Sequence, residues 1–236
     1  KWPAARDQEF QALLKGLQIK PAARILDVPA GGGYLANYLP NNVKLHHLET
    51  SKLFADLFHQ HCHSGSCHPL SLCRLDNLPQ ESDSIDIALS LAGLHHTEDK
   101  QPLFKELYRC LKPGGLLVLA DAQEGSATAQ FLDGWVNDHN KMGHNGWYLN
   151  QQTIQQLQDC GFECISSENR DYHWCFENQL QAGEYCKLMF GIDQAEASQV
   201  KDALTQHLGF DSLDNGTVGL HWQLYFITLR KPLVKL

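Results

Sequence analysis

Residues 25–35 read Ile-Leu-Asp-Val-Pro-Ala-Gly-Gly-Gly-Tyr-Leu. An apolar run ends at the carboxylate of Asp27, turns through three glycines and restarts as an apolar, helix-like stretch. The next apolar run, residues 43–48, ends beside a second acid, Glu49. A strand, a glycine turn, a helix, a second strand and a terminal acid follow one another in nucleotide-type pockets. The glycines let backbone approach a ligand because no Cβ stands in the way, and the second acid can accept from both hydroxyls of a ribose.

Two ligands fit this pattern. The spacing Gly31-x-Gly33-x-x-Ala36, with Glu49 eighteen residues after Gly31, matches a dinucleotide fingerprint and indicates an NAD-dependent oxidoreductase. Asp27 disfavours that ligand, since a pyrophosphate at the turn would meet a like charge. A cationic ligand such as S-adenosylmethionine (SAM), with its ammonium and sulfonium groups, would be attracted by the same carboxylate.

Length and composition predict one α/β domain over residues 1–236. Its core is expected at about 20–175 and 215–232, with a helical insertion at about 178–208 that forms a lid or an interface. The net charge of −8 disfavours nucleic acid as a partner. No apolar run approaches the roughly 20 residues needed to span a bilayer, so no membrane partner is expected. The eight scattered cysteines and the absence of a signal-like segment at the N-terminus predict a reducing, cytoplasmic location.

Hydrophobic periodicity and turn residues divide the chain into alternating elements. Strands are predicted at 24–28, 43–48, 70–74, 85–91, 116–120, from 162 onward and at 220–229. Helices are predicted at 6–18, 33–39, 53–61, 102–111, 128–139 and 151–160, with two more within 178–208. Residues 112–115, Lys-Pro-Gly-Gly, are expected to turn the chain between a helix and the fifth strand. This alternation predicts right-handed crossovers and a parallel sheet.

Four segments in this order resemble the class I SAM-dependent methyltransferases, specifically their small-molecule members of the methyltransferase domain 11 type. They are 26–33 (Leu-Asp-Val-Pro-Ala-Gly-Gly-Gly), 48–51 (Leu-Glu-Thr-Ser), 76–79 with 84–90 (Asp-Asn-Leu-Pro and Ser-Ile-Asp-Ile-Ala-Leu-Ser) and 107–115 (Leu-Tyr-Arg-Cys-Leu-Lys-Pro-Gly-Gly). The resemblance covers about residues 21–121 and extends to the closing 220–232. It implies a doubly wound, Rossmann-like sheet of seven mostly parallel strands, of which the last is antiparallel.

The resemblance also implies a SAM pocket. Asp27, Gly31 and Gly33 would line the methionine part of SAM and Glu49 would hold the ribose diol. Asp76 would accept from the adenine amino group. The complete set of implied cofactor residues is Asp27, Pro29, Ala30, Gly31, Gly33, Glu49, Thr50, Asp76, Asn77, Leu91 and Ala92.

Pro29 departs from the family pattern, which usually has glycine at this position. Proline fixes φ near −65° and has no N–H, so one backbone contact to the cofactor is lost. Reduced SAM affinity follows from that loss, and a SAM-binding protein without turnover is therefore an alternative to an enzyme. The following glycines can compensate.

Three histidines are candidates for catalysis. His95 and His96 follow the fourth strand, at the carboxyl edge where α/β folds bind ligands, and a histidine there can deprotonate a hydroxyl or amine acceptor. Their alternative role is to order the loop. His144 precedes two aromatic residues, Trp147 and Tyr148, that would shield an acceptor site; the alternative is an ordinary polar loop.

The segment 59–73 is rich in cysteine and histidine, which can bind zinc. It has no C-x2-C pair and falls away from the expected pocket, so no metal is expected. The sequence therefore predicts a SAM-dependent methyltransferase that acts on a small-molecule acceptor and yields S-adenosylhomocysteine (SAH). It leaves the acceptor, the methylated atom and the oligomeric state open.

Overall fold

A computed structural model describes residues 2, 4–61, 70–214 and 216–233. Most of the cysteine- and histidine-rich segment considered above, residues 62–69, lies outside the described residues.

The strands are β1 (Arg24–Asp27), β2 (Lys44–Glu49), β3 (Leu70–Leu72), β4 (Ile85–Leu91), β5 (Leu111–Asp121), β6 (Glu163–Phe176), β7 (Phe210–Ser212) and β8 (Val218–Arg230). The helices are α1 (Asp7–Leu14), α2 (Lys52–His61), α3 (Gln101–Cys110), α4 (Ala127–Phe131), α5 (Asn137–His139), α6 (Gln151–Asp159), α7 (Gln179–Met189) and α8 (Ala197–His207). Short 3-10 helices cover Tyr34–Tyr38 and Leu94–His96, and a π-helical turn at Leu132–Val136 joins α4 to α5.

The strands form one mixed sheet in the order β3-β2-β1-β4-β5-β8-β6, with β7 paired to β8. Neighbours from β3 to β5 are parallel, whereas β8 runs antiparallel to β5. The predicted Rossmann-like α/β class with an antiparallel last strand is confirmed. The sheet has eight strands, one more than predicted, because the three residues of β7 are too few to show a strand periodicity.

Three local predictions were wrong in detail. The helix predicted at 6–18 is only α1, since Gly16 adopts a left-handed φ of +82° shortly after its end. The helix predicted at 33–39 is the tighter 3-10 turn Tyr34–Tyr38. Residues 112–115 do not separate α3 from the fifth strand but lie within β5, where the pairing with β4 shifts register between Ile85 and Ile87.

The chain divides into two compact units. The sheet unit comprises Leu13–Asp121, Leu149–Glu168 and Tyr225–Leu236. The aromatic unit comprises Lys1–Ala12, Ala122–Tyr148 and Asn169–Leu224. A single methyltransferase domain with a lid at 178–208 remains a prediction.

Apolar side chains from strands and helices fill the core of the sheet unit. Apolar residues recur at helical spacing along α3 and form one buried face, which consists of Leu103, Phe104, Leu107 and Cys110. They pack in one cluster with strand residues such as Leu26 and with residues of α6. This core fixes the carboxyl ends of β1, β2 and β4, where the sequence places its candidate residues. No helix in the described ranges has the length and apolar character needed to cross a membrane.

Large aromatic rings fill the core of the aromatic unit. Trp174 on β6 is buried and stacks on Trp222 of β8, with ring centroids 4.1 Å apart. Tyr185 of α7 meets Trp174 edge-on at 5.7 Å, and Phe190 stacks on Trp222 at 5.9 Å. Such pairs add to the free energy gained from burying the ring area.

One acidic side chain, Glu9 of α1, is fully buried in the aromatic unit. Its Oε2 accepts from Trp174 Nε1 at 2.7 Å and from the Tyr172 hydroxyl at 3.0 Å, and its Oε1 accepts from Arg6 Nε at 2.8 Å. Burial alone would lower the pKa of Arg6, but the charge of Glu9, with a contribution from Tyr185, outweighs burial and raises it. This ion pair anchors α1 to the aromatic core.

Glu9→Gln should destabilise the protein, because it removes the charge that compensates the partly buried Arg6 guanidinium. Breaking a buried ion pair on one side costs about 3–5 kcal/mol of unfolding free energy. Urea denaturation measures the loss. The exposed Glu163→Gln is the matched control and should stay within about 0.5 kcal/mol of the unchanged protein. Equal midpoints for the two variants would contradict the anchoring role.

Candidate cofactor and active site

Two glycines in the turn after β1 have left-handed backbone conformations, Gly31 with φ +53° and Gly33 with φ +71°. A Cβ on Gly33 would lie 2.2 Å from Phe58 Cε2, so this position must be glycine for the turn to pack on α2. A Cβ on Gly31 would meet nothing within 4 Å. The turn therefore packs tightly at Gly33 and leaves open space at Gly31, where a ligand can approach the backbone.

The carboxylate of Glu49 holds this turn against the end of β2. Its Oε2 accepts from Gly31 N at 2.7 Å, and its Oε1 accepts from Thr50 N at 2.7 Å and Ser51 N at 2.9 Å. The neighbouring Ala30 N donates to Leu48 O at 2.8 Å. Three backbone donors thus occupy three of the roughly four acceptor sites of a carboxylate that is only 3% exposed.

Pro29 lies beside the loop that follows β4. The Val28–Pro29 peptide bond is cis. A Cβ on Gly93 would lie 2.6 Å from Pro29 Cγ, so glycine at that position makes room for the proline ring. Ala92 has a left-handed φ of +49°, and its N–H donates to Ala120 O at 2.7 Å. The predicted residues Pro29, Leu91 and Ala92 therefore lie at one carboxyl edge of the sheet.

Asp27, at the end of β1, is paired with a histidine. Its Oδ2 lies 2.8 Å from Nδ1 of His47, which is almost fully buried on β2. Burial raises the pKa of Asp27, and the hydrogen bond and charge of His47 oppose that rise. The other ring nitrogen of His47, Nε2, is also buried and has no hydrogen-bond partner in the part of the chain that the structure describes.

A cavity of about 380 Å³ opens beside these strand ends. It is lined by Thr50, Cys73, Arg74, Leu75, Asp76, Asp99, Pro102 and Leu103. Both Asp76 oxygens accept from the Arg74 guanidinium, at 2.8 and 2.6 Å, and this pairing lowers the pKa of Asp76. Of the residues assigned to the cofactor, Thr50 and Asp76 therefore border one space, whereas Asn77 is exposed and outside its lining.

His95 is the better placed of the two histidines after β4. Its Nδ1 lies 2.7 Å from Oδ1 of the buried Asp121, whose Oδ2 accepts from Leu94 N at 2.8 Å and His95 N at 3.0 Å. One carboxylate thus fixes both the loop and the orientation of the imidazole. The ring of His96 lies 4.1 Å from that of His95 but is exposed.

His144 belongs to the aromatic unit and there forms part of a polar network. Its Nδ1 lies 3.0 Å from Asp133 Oδ1, which also accepts from the Tyr148 hydroxyl at 2.6 Å and Gly146 N at 2.9 Å. His144 N donates to Asn137 Oδ1 at 2.9 Å. These bonds are those of a polar loop, which is the alternative considered for this segment; a catalytic role for His144 stays a prediction.

Sequence reasoning missed two side chains that support the candidate residues, His47 and Asp121. His47 lies near the carboxyl end of β2, and Asp121 lies at the carboxyl end of β5. That position was a usable signal, because parallel strands bring such ends to one edge. Their pairings with Asp27 and His95 depend on strand order and could not be derived from spacing.

Comparison with known proteins identifies related chains. A model described as a methyltransferase domain matches residues 26–119. The glycine/sarcosine/dimethylglycine N-methyltransferase of Actinopolyspora halophila is 25% identical over 69% of this chain and 30% of its own length. The phosphoethanolamine N-methyltransferase of Triticum aestivum is 25% identical over 88% of this chain and 39% of its own length. The chain thus matches well under half the length of these two relatives.

Solved structures share the fold. A putative methyltransferase from Bacillus halodurans C-125 superposes with a TM-score of 0.66 at 18% identity, covering 95% of this chain and 99% of the other. Phosphoethanolamine N-methyltransferase 2 of Haemonchus contortus, in complex with phosphomonomethylethanolamine and S-adenosylhomocysteine, gives a TM-score of 0.65 at 20% identity. That match covers 95% of this chain and 52% of the other.

Asp27→Asn should change how stability depends on pH. Because burial raises the pKa of Asp27 in the folded state, the folded protein keeps this proton in a pH range where the unfolded chain, with an ordinary pKa of about 3.9, has lost it. The stabilisation that this bound proton provides is fully present at pH values below the ordinary pKa. It is lost as pH rises through the raised pKa of the folded state. The unfolding free energy of the unchanged protein, relative to Asp27→Asn, should therefore fall as pH rises from about 4.

Urea unfolding at several pH values measures this difference. Asp86→Asn is the control of opposite sign: burial alone would raise the pKa of Asp86, but hydrogen bonds from Lys112 and Arg24 N outweigh it and lower that pKa. The stabilisation that the Asp86 carboxylate contributes is therefore present at pH values above its ordinary pKa. It is lost as pH falls through the lowered pKa of the folded state. A difference for Asp27→Asn that stays constant or grows with pH would contradict the assignment.

Proposed function

We propose that the protein is a class I SAM-dependent methyltransferase that transfers the methyl group of SAM to a small-molecule acceptor and releases SAH. The methyltransferase domain model that matches residues 26–119 supports this proposal. The observation that carries the proposal is the position of Glu49. Its buried carboxylate joins the glycine turn to the end of β2, and Thr50, which donates to it, lines the cavity that Asp76 also borders.

The hydrogen-bonding capacity of Glu49 fits a ribose. A carboxylate offers about four lone-pair sites, and Oε2 accepts only from Gly31 N in the hydrogen bonds described above. One site on Oε2 therefore remains for a ribose hydroxyl. The adenine is assigned to the cavity of about 380 Å³, where Asp76 would accept from its amino group.

The charge of Asp27 favours SAM over NAD. Burial makes the ionised form of this carboxylate costly. A cationic methionine group nearby would stabilise the ionised form, whereas a pyrophosphate would raise the cost further. SAM supplies a methyl group activated by the sulfonium, so the protein mainly has to align donor and acceptor and exclude water.

His95 is proposed as the group that removes a proton from the acceptor. Asp121 orients the ring through Nδ1, and Nε2 is the nitrogen that would take the proton. The same carboxylate would stabilise the imidazolium that results. A role for His96 is less well supported, because its ring is exposed.

A small-molecule acceptor is supported by the relatives, which are named for glycine, sarcosine, dimethylglycine and phosphoethanolamine. The net charge of −8 also makes nucleic acid an unfavourable acceptor.

Glu49→Gln should weaken SAH binding. It replaces one acceptor oxygen by an amide nitrogen and removes the charge from the hydrogen bonds to ribose, which costs about 1.5–3 kcal/mol or roughly 10–150-fold in Kd. Isothermal titration calorimetry with SAH measures the change, and thermal unfolding checks that the turn is retained. Glu163→Gln is the control and should bind as the unchanged protein does.

NADH in the same calorimeter separates the ligand classes. The unchanged protein should bind SAH and not NADH. Tight binding of NADH without SAH would overturn the proposal in favour of an oxidoreductase, and SAH binding without turnover of any acceptor would favour a non-catalytic SAM-binding protein.

His95→Gln should lower kcat, since a positioned general base typically contributes about 10²–10⁴-fold. Methyl transfer from tritiated SAM to glycine, sarcosine or phosphoethanolamine measures the rate. His96→Gln is the matched control on the next residue and should change kcat much less. SAH affinity should be unchanged in both variants. Equal losses in the two would refute the distinct role of His95.

A further inference from the structure

Three metal-ligating side chains converge in the aromatic unit, at a place that the methyl-transfer proposal does not use. They are His173 on β6, Asp211 on β7 and His221 on β8. Asp211 Oδ2 lies 3.1 Å from His173 Nε2 and 2.9 Å from His221 Nε2. The two imidazole rings lie 5.3 Å apart. One ligand atom from each residue falls within 4.8 Å of the others.

Strand register puts Asp211 and His221 on one face of the β7–β8 pair. Asp211 is paired with Gly219 in the antiparallel ladder of β7 and β8. His221 lies two residues beyond Gly219 and so points to the same side of the strand. The positions of these side chains are therefore set by backbone pairing on strands rather than by a loop.

Glycine at position 219 makes room for the cluster. A Cβ there would lie 2.6 Å from Cγ and 2.8 Å from Cδ2 of the His173 imidazole. Any other residue would displace the ring from its place near Asp211. The backbone of His221 is held in place as well, because its N–H donates to Gly209 O at 3.1 Å.

The atoms that meet are chemically suited to a transition-metal dication. Zinc binds imidazole nitrogen and carboxylate oxygen at about 2.0–2.2 Å, which places neighbouring ligands of a tetrahedral site about 3.3 Å apart. The two Nε2–Oδ2 separations are close to that value, so small shifts suffice to admit the ion.

We propose that His173, Asp211 and His221 form a binding site for a divalent transition-metal ion, with Zn²⁺ as its occupant. Three protein ligands leave a fourth position open, as in sites where zinc also holds water or a small ligand. All three residues line a cavity of about 500 Å³ within the aromatic unit, together with polar side chains such as Gln8 and Asp171. The open position can therefore take a small ligand from that cavity.

Zinc retention after gel filtration tests the site. The full chain is stripped with a chelator, loaded with ZnCl₂ and analysed for metal content by mass spectrometry. We expect the unchanged protein to hold one equivalent more than His221→Gln and than Asp211→Asn. Loss of a supporting residue outside the ligand shell typically costs about 10–100-fold in affinity, so loss of a ligand itself should cost at least that much.

A second variant controls for the cysteine- and histidine-rich segment. Cys62→Ser combined with Cys67→Ser removes the two thiols between residues 62 and 67, and the variant should keep the additional equivalent of zinc. Equal zinc content in the unchanged protein and in His221→Gln would overturn the proposal. So would loss of the additional equivalent in the double cysteine variant alone.

Cobalt spectroscopy keeps the proposal testable if the ligand variants fail to fold. Co²⁺ added to the double cysteine variant should give visible bands of a four-coordinate nitrogen and oxygen site, without thiolate charge-transfer absorption. A spectrum of hydrated Co²⁺ alone would refute the site. These measurements need no SAM and no acceptor, so they stand apart from the test of methyl transfer.

Discussion

The carboxylate of Glu49 accepts from three backbone N–H groups, and one of them, Gly31 N, lies eighteen residues earlier in the chain. Through this contact the end of β2 fixes the shape of the glycine turn that follows β1. Hydrogen bonds to a charged acceptor are stronger than those between neutral groups, and here they act where water is largely excluded. The opening at Gly31 and the cavity beside Thr50 both depend on this arrangement.

Buried acids recur in the molecule, and the structure gives each a specific partner. Asp27 is paired with His47, Asp121 with His95, and Glu9 with Arg6. An unpaired buried charge would be severely destabilising, so each pair constrains the position of both members. The same physical requirement that stabilises the fold therefore also orients the imidazole of His95.

Glycine has different roles at the sites described. At Gly33 and Gly93 the absent Cβ allows other side chains, Phe58 and Pro29, to pack against backbone. At Gly31 it leaves space open. At Gly219 it allows the His173 ring to lie close to the backbone of β8. Composition alone cannot separate these roles, because they depend on which side chain approaches from elsewhere in the fold.

The sequence by itself determined the α/β class, most strands and helices, and the glycine turn with its two acids. These features are local: periodicity, turn residues and a short motif define them within a few residues. The 3-10 turn at 34–38, the bulged start of β5 and the short strand β7 were not predicted, since packing and pairing decide them. Only the tertiary structure decided the pairs Asp27–His47 and Asp121–His95 and the convergence of His173, Asp211 and His221. Their members are 20, 26 and up to 48 residues apart, and only strand order brings such distant side chains within hydrogen-bond distance.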